Sequence, residues 1–126
     1  MYLARPAPKA LETEPATRDA KAYVSHLELS DVNMEASENF MKQQVVEIRG
    51  KIANRGPRII SSVDVYCLFS AADGREVHRE RQRIVRTTVP PDGTRSFRMP
   101  FDSLPEEWNQ AMPKLVIARI AFADQP

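Results

Sequence analysis

From Lys21 onward the chain alternates between apolar and polar positions. In "QVVEIRGKIANRG", Val46, Ile48, Gly50 and Ile52 fall on one face and Glu47, Arg49 and Lys51 on the other, the period of two of a strand with one buried side. "RIISSVDVYCLFS" repeats the pattern, with Val63, Val65, Cys67 and Phe69 inward and Asp64, Tyr66 and Leu68 opposite. "YVSHLELSDV" sets Leu27 and Leu29 against His26 and Glu28, a half-buried strand. "EVHRERQRIVRTTV" is a long, mostly polar strand expected to bend near Arg83, and "TRSFRMPF" and "KLVIARIAFA" supply two more. Turn chemistry separates these runs. Asn54-Arg55-Gly56 tolerates positive φ, Asp73-Gly74 is a short-range hairpin cue, and "PPDG" at 90–93 pre-sets φ with proline and closes with glycine.

Two segments depart from this rhythm. "DSLPEEWNQAMP" places Ser103 three residues before Glu106, a capping-box spacing, with Pro105 in the first turn. Leu104, Trp108 and Met112 are four apart, which predicts a short helix near residues 103–111 whose apolar face plugs one end of the sheets. "NMEASENFMKQQ" reads either as one helical turn or as a long loop. Residues 1–22 carry Pro6, Pro8 and Pro15 with many alanines and no sustained period, so they are expected to form a flexible or extended linker. The reading is therefore a linker (1–22) followed by one domain (23–126). That domain is an all-β, immunoglobulin-like antiparallel sandwich of six or seven strands with one short helix.

Composition narrows function mainly by exclusion. Eighteen Lys and Arg against seventeen Asp and Glu leave a formal charge of +1, so no global field draws nucleic acid or an anionic bilayer. One cysteine cannot form an internal disulfide, and Cys67 on the inward face reads as a small core residue. His26, His78 and Cys67 lack the paired spacing of a zinc site. Asp31-x-Asn33-x-Glu35 opens like a calcium loop, but Ala36 and Lys42 occupy the positions that need glycine and glutamate. No G-x-S-x-G elbow surrounds Ser61 or Ser62, no glycines gather into a phosphate loop, and Glu106 and Glu107 diverge as neighbours. The expectation is a non-enzyme without cofactor.

The pattern "VVEIRGKIANRG", then "SVDVYCLFSAADGREV", then "PPDGTRSFRMPFD" resembles the FxLYD-type domains and their bacterial relatives. Tyr66, Leu68 and Phe69 match the aromatic-x-Leu-aromatic signature, and Ser70 stands where that family often has aspartate. The ending "LPEEWNQAMPKLVIARIAF" is similar to a small bacterial family of uncharacterised, often membrane-anchored domains. The resemblance implies an immunoglobulin-like sandwich and carries no catalytic residue with it.

One basic run remains. In residues 75–86, Arg79, Arg81 and Arg83 project to one side of a strand, about 7 Å apart, and arginine forks match carboxylates and phosphates. No aromatic interleaves with them, which argues against base stacking and nucleic acid. The expected function is an interaction or accessory module for an unknown protein partner. The alternative is a binding domain for an anionic ligand or polymer through the strand 75–86. Tyr2 and Leu3 ahead of Arg5 look like the edge of a membrane helix, so the domain is expected to be extracytoplasmic and tethered through a segment absent from this chain.

Overall fold

The computed structural model describes residues 18–123. Helix α1 (Arg18–Tyr23) and one 3-10 turn (Val24–His26) lead into the strands β1 (Leu27–Glu38), β2 (Gln44–Asn54), β3 (Ile60–Ser70), β4 (Glu76–Val85), β5 (Thr94–Phe101) and β6 (Lys114–Phe122). Of the expected linker, residues 1–17 lie outside the described residues, as does the tether expected ahead of Tyr2, while residues 18–22 begin α1. Two antiparallel sheets of three strands, β1-β2-β5 and β4-β3-β6, face each other. The hairpins β1–β2 and β3–β4 stay within a sheet, whereas β2–β3, β4–β5 and β5–β6 cross between sheets. This is the immunoglobulin-like sandwich expected from the alternation, with six strands among the described residues.

The alternation predicts the core closely. Val46, Ile48 and Ile52 of β2 and Val63, Val65, Cys67 and Phe69 of β3 are all buried, joined by Met99 and Phe101 of β5 and Ile120 and Phe122 of β6. Phe69 sits at the centre, edge-on to Phe101 (5.0 Å between centroids) and to Trp108 (5.6 Å). Each such ring contributes about 2–3 kcal/mol by leaving water. Gly50 is the small member of the β2 face. A Cβ there would lie 2.7 Å from Cζ of Phe97, its cross-strand partner, so glycine is what lets that ring lie over β2.

Several expectations about local structure are corrected. The helix near residues 103–111 does not form, and this stretch is an irregular crossover. Its polar groups go to tertiary and local partners instead: the Asn109 amide donates to the Ser70 carbonyl (2.8 Å), Trp108 bridges Ala71, and the Asn109 side chain accepts from the Ala111 amide. Ser103 donates to Asp102 in place of a capping box. Between Pro105 and Pro113 too few residues remain for a helix to gain by propagation. Trp108 is still buried, with its indole N–H on the Ala111 carbonyl at 3.1 Å, but Met112 is exposed and takes no part in the seal.

β1 is also longer than expected. The stretch read as a helical turn or a loop continues the strand to Glu38 and turns at 39–43. Asp31 adopts a φ of 53°, and an extra residue enters between Ser30 and Asn33 opposite β2. This bulge re-aims the strand beyond it, so Val32 and Met34 pack against the core; Leu29, ahead of the bulge and paired with Ile52, is exposed at the edge of the sheet. On β4 the bend expected near Arg83 is a second bulge, with Ile84 unmatched between the pairs Asp64–Arg83 and Val63–Val85.

One end of the sandwich is closed by a polar plug. Asn54, with no exposed surface, uses all four of its side-chain hydrogen-bonding positions. Its Oδ1 accepts from the Tyr23 hydroxyl (2.7 Å) and the Gly56 amide (3.1 Å), and its Nδ2 donates to the carbonyls of Arg58 (2.7 Å) and Val89 (3.0 Å). Its backbone bonds Gly93 and Asp92. A Cβ on Gly56 would fall 2.6 Å from Cζ of Tyr23, so glycine also admits the tyrosine.

Replacing Asn54 with alanine leaves the buried Gly56 amide without its acceptor and removes one bond each from the Tyr23 hydroxyl and the carbonyls of Arg58 and Val89, and is expected to cost about 3 kcal/mol or more. Tyr23→Phe removes a single hydroxyl and should cost about 1 kcal/mol. Urea unfolding of both variants and the double mutant measures this, and the double mutant should cost less than the sum of the singles. A near-neutral Asn54→Ala would show that the plug contributes little.

Candidate functional site

Strand alternation places Arg79, Arg81 and Arg83 on the outer face of the β4-β3-β6 sheet, opposite Leu68, Tyr66 and Asp64 of β3. All three find partners inside the molecule. Arg79 makes a two-pronged contact with Glu76, each bond 3.2 Å. Arg81 donates from Nη2 to Asp64 Oδ2 at 2.8 Å, and Arg83 from Nε to Asp64 Oδ1 at 2.7 Å. Between these anchors the Arg79 and Arg81 guanidiniums lie 5.5 and 5.8 Å from the centroid of the buried Tyr66 ring. The stripe anticipated from the sequence exists as a stripe. Its arginines, however, already hold the carboxylates that would recommend them to an outside anion.

Asp64 is the buried member of this ladder. Burial alone would raise its carboxyl, but hydrogen bonds from Arg83 and Arg81, together with their charges, outweigh burial and hold it below the usual aspartate range. The same bonds favour the charged form of Arg83. The ladder fixes an edge strand to its neighbour and covers it with charge, a surface that resists pairing with another sheet.

The inner side of β4 is polar as well. His78 packs on Phe69 at 5.6 Å and contacts Glu80 at 3.0 Å, while Gln82 donates to Glu80 and to the Pro100 carbonyl of β5. His26 lies against Tyr23 on a different segment. Among the described residues no group of three His, Cys, Asp or Glu side chains is arranged to hold a metal ion. Cys67 is buried, with its sulfur 3.6 Å from that of Met99, and its thiol is pushed up to about 12 by burial, with the Glu80 charge adding to the effect.

The feature that sequence reasoning missed is the β1–β2 turn. Phe40 is 94% exposed and Met41 64% exposed. Neither sits on a loose loop. Asn39 Oδ1 accepts from the amides of Met41 (2.9 Å) and Gln43 (3.0 Å), Asn39 and Gln43 close the turn through their backbones at 2.9 Å, and Lys42 takes a φ of 65°. Two apolar side chains are thus held out into water by a well-bonded turn. The available signal was "NFMK" itself, since an asparagine-led turn between strands normally carries polar residues.

A shallow hollow of about 540 Å³ lies on the β1-β2-β5 sheet beside the β1 bulge. Its cations already have carboxylate partners: Lys51 pairs with Asp31 at 3.5 Å, and Arg49 and Arg98 both meet Glu47.

No family model matches the chain, and no curated protein does. Among solved structures the chain is similar to one titled "X-ray structure of Northeast Structural Genomics Consortium target SoR45", with 12% identity and a TM-score of 0.48, covering 80% of this chain and 88% of that one.

Two measurements test the ladder and the thiol. Asp64→Asn is expected to destabilise the protein by about 2 kcal/mol at neutral pH, since it weakens charge-assisted bonds to two half-exposed arginines. A carboxyl held low when folded contributes stability above its unfolded value near 3.8 and loses it as pH falls through the folded value. The gap between wild type and Asp64→Asn should therefore be flat above about pH 5 and close on further acidification. A gap that widens in acid would contradict the assignment. Ellman's reagent at pH 8 should label Cys67 only after denaturation, because neither solvent nor thiolate is available in the folded state. Rapid labelling of native protein would show that the sheets open there.

Proposed function

We propose that the protein is a non-enzymatic binding module that docks a protein partner through Phe40 and Met41 at the tip of the β1–β2 hairpin. The observation that carries this reading is the pairing of near-complete exposure with a turn closed by hydrogen bonds around Asn39. An apolar side chain on a rigid tip loses little entropy when it enters a pocket, so most of the about 2–3 kcal/mol from burying a phenylalanine is available for affinity. The partner chemistry that fits is an apolar socket for Phe40, lined by methyl groups or aromatics, with a carboxylate near Lys42. Resemblance to membrane-anchored bacterial domains supports placing the module outside the cytoplasm on a spacer. Among the described residues no helix is long and apolar enough to cross a membrane.

A photo-crosslinking amino acid at position 40, in the full chain expressed in its own source cells, should give a discrete protein adduct. The same reagent at position 73, in the exposed β3–β4 turn, should not. Phe40→Ser should leave unfolding within about 0.5 kcal/mol of wild type and weaken the captured complex by about thirtyfold, the loss of a 2 kcal/mol anchor. Identical adducts from positions 40 and 73, or none from position 40, would refute the hairpin as the docking element.

A further inference from the structure

We infer that the cleft between the end of β4 and β5 binds a small phosphate-type oxyanion, a site distinct from the hairpin tip. The cleft encloses about 290 Å³ where the edges of the two sheets meet, and arginines from both sheets line it: Arg83 and Arg86 on one side, Arg95 and Arg98 on the other. No acidic residue lines it. Arg83 and Arg98 are answered by Asp64 and Glu47. Arg86 and Arg95 are not, for neither has a carboxylate partner among the described residues.

Their guanidiniums are nevertheless held in place. Arg86 donates from Nη1 to the Arg83 carbonyl at 2.7 Å, and Arg95 donates to the carbonyls of Thr94 (2.9 Å) and Thr88 (2.6 Å). These bonds orient each fork and leave further N–H groups unused, since a guanidinium carries five. Two hydroxyls, Thr87 and Ser96, also line the cleft, and neither has a hydrogen-bond partner among the described residues. Two oriented cations without counter-ions and two unengaged hydroxyls therefore line one cleft beside the buried Phe97.

The donor geometry favours a tetrahedral anion. Donors that approach from opposite walls can meet three or four oxygens of a phosphate, whereas a carboxylate offers two oxygens in one plane. The volume suits one phosphate with a few further atoms, and no exposed aromatic lines the cleft to stack a base, so a nucleic-acid strand is a poor occupant. The ligand is inorganic phosphate or the phosphate of a small organic monoester. The anion-binding expectation for strand 75–86 is thereby moved from Arg79 and Arg81, whose carboxylates are internal, to its far end.

The test is a titration of the isotope-labelled full chain with inorganic phosphate and, separately, glycerol phosphate, at ionic strength fixed with sodium chloride and followed by NMR. Saturating shifts are expected at the side-chain Nε–H of Arg86 and Arg95 and at the amides of Thr87 and Ser96. Tighter binding of glycerol phosphate would assign an ester as the ligand, and equal binding would assign the free anion. Arg86→Gln, at an exposed residue with one carbonyl bond, should weaken either ligand at least tenfold while spectral dispersion shows the fold intact. Arg79→Gln and Phe40→Ser should leave the affinity unchanged, the latter keeping this site separate from the hairpin reading. Shifts that rise linearly, spread over all arginines, or survive Arg86→Gln would overturn the assignment.

Discussion

Asn54 ties together parts of the chain that lie far apart in sequence. Tyr23 comes from the helix before the first strand, Gly56 and Arg58 from the crossover to the second sheet, and Val89, Asp92 and Gly93 from the return crossover. In an interior of low dielectric each of these bonds is stronger than in water, and each group left without one is correspondingly costly. A sandwich of two three-stranded sheets has little besides side-chain packing to fix how the sheets are connected. Apolar contacts are not directional, so they tolerate small rotations of one sheet on the other. The asparagine does not. By demanding four partners at set angles it selects one path for both crossovers and one seat for Tyr23, whose ring then meets Phe122 edge-on at 5.1 Å and draws α1 onto the last strand.

How far the chain reveals itself depends on whether the decisive partners are local. β2 and β3 are central strands, and every inward position named by their alternation is buried, because a one-residue slip would turn every apolar side chain outward, while the outward Asp64 and Tyr66 are buried as well. The turn at Asn54-Arg55-Gly56 is also legible, as turn chemistry. Its role as a plug is not, because Tyr23 and Val89 lie 31 and 35 residues away. The segment 103–111 fails for a related reason. Capping spacing and a four-residue apolar period describe a helix in isolation, yet the amide of Asn109 and the backbone of Trp108 are claimed by Ser70 and Ala71 at the end of β3. Leu29 pairs with the buried Ile52 as the alternation expects but stays exposed because β1 is an edge strand, and beyond it the bulge with positive φ at Asp31 shifts the phase.

The charged face follows the same division. That Arg79, Arg81 and Arg83 share a side is a property of any strand, so the sequence places them correctly. Whether they are available is a property of register. Asp64 also lay on the outward side of β3, but only the pairing of β3 with β4 puts it opposite Arg83 and within reach of Arg81. A carboxylate there satisfies two guanidiniums and turns a candidate recognition surface into a fastening for an edge strand. The bulge at Ile84 then ends that arrangement. Beyond it, Arg86 lies past the last residue of β4, out of the ladder that supplied the carboxylates, and faces β5 across the cleft.

Seen as a distribution of costs, the molecule concentrates its rigidity at one end and its exposure at the other. The Asn54 plug closes the end where β2 finishes, and the Phe40 turn stands where β2 begins. Removing the apolar tip would cost the fold almost nothing, since neither side chain packs against the core cluster. Its exposure would on the contrary be relieved by a polar residue. The asparagine-led turn would close equally well around serines or lysines, because Asn39 binds backbone amides and makes no use of the Phe40 or Met41 side chains. A solvent-facing phenylalanine that folding does not need is what the proposed docking role calls for. The stiffness of the turn then has a purpose of its own, because a partner meeting an already ordered tip need not supply the free energy of ordering it.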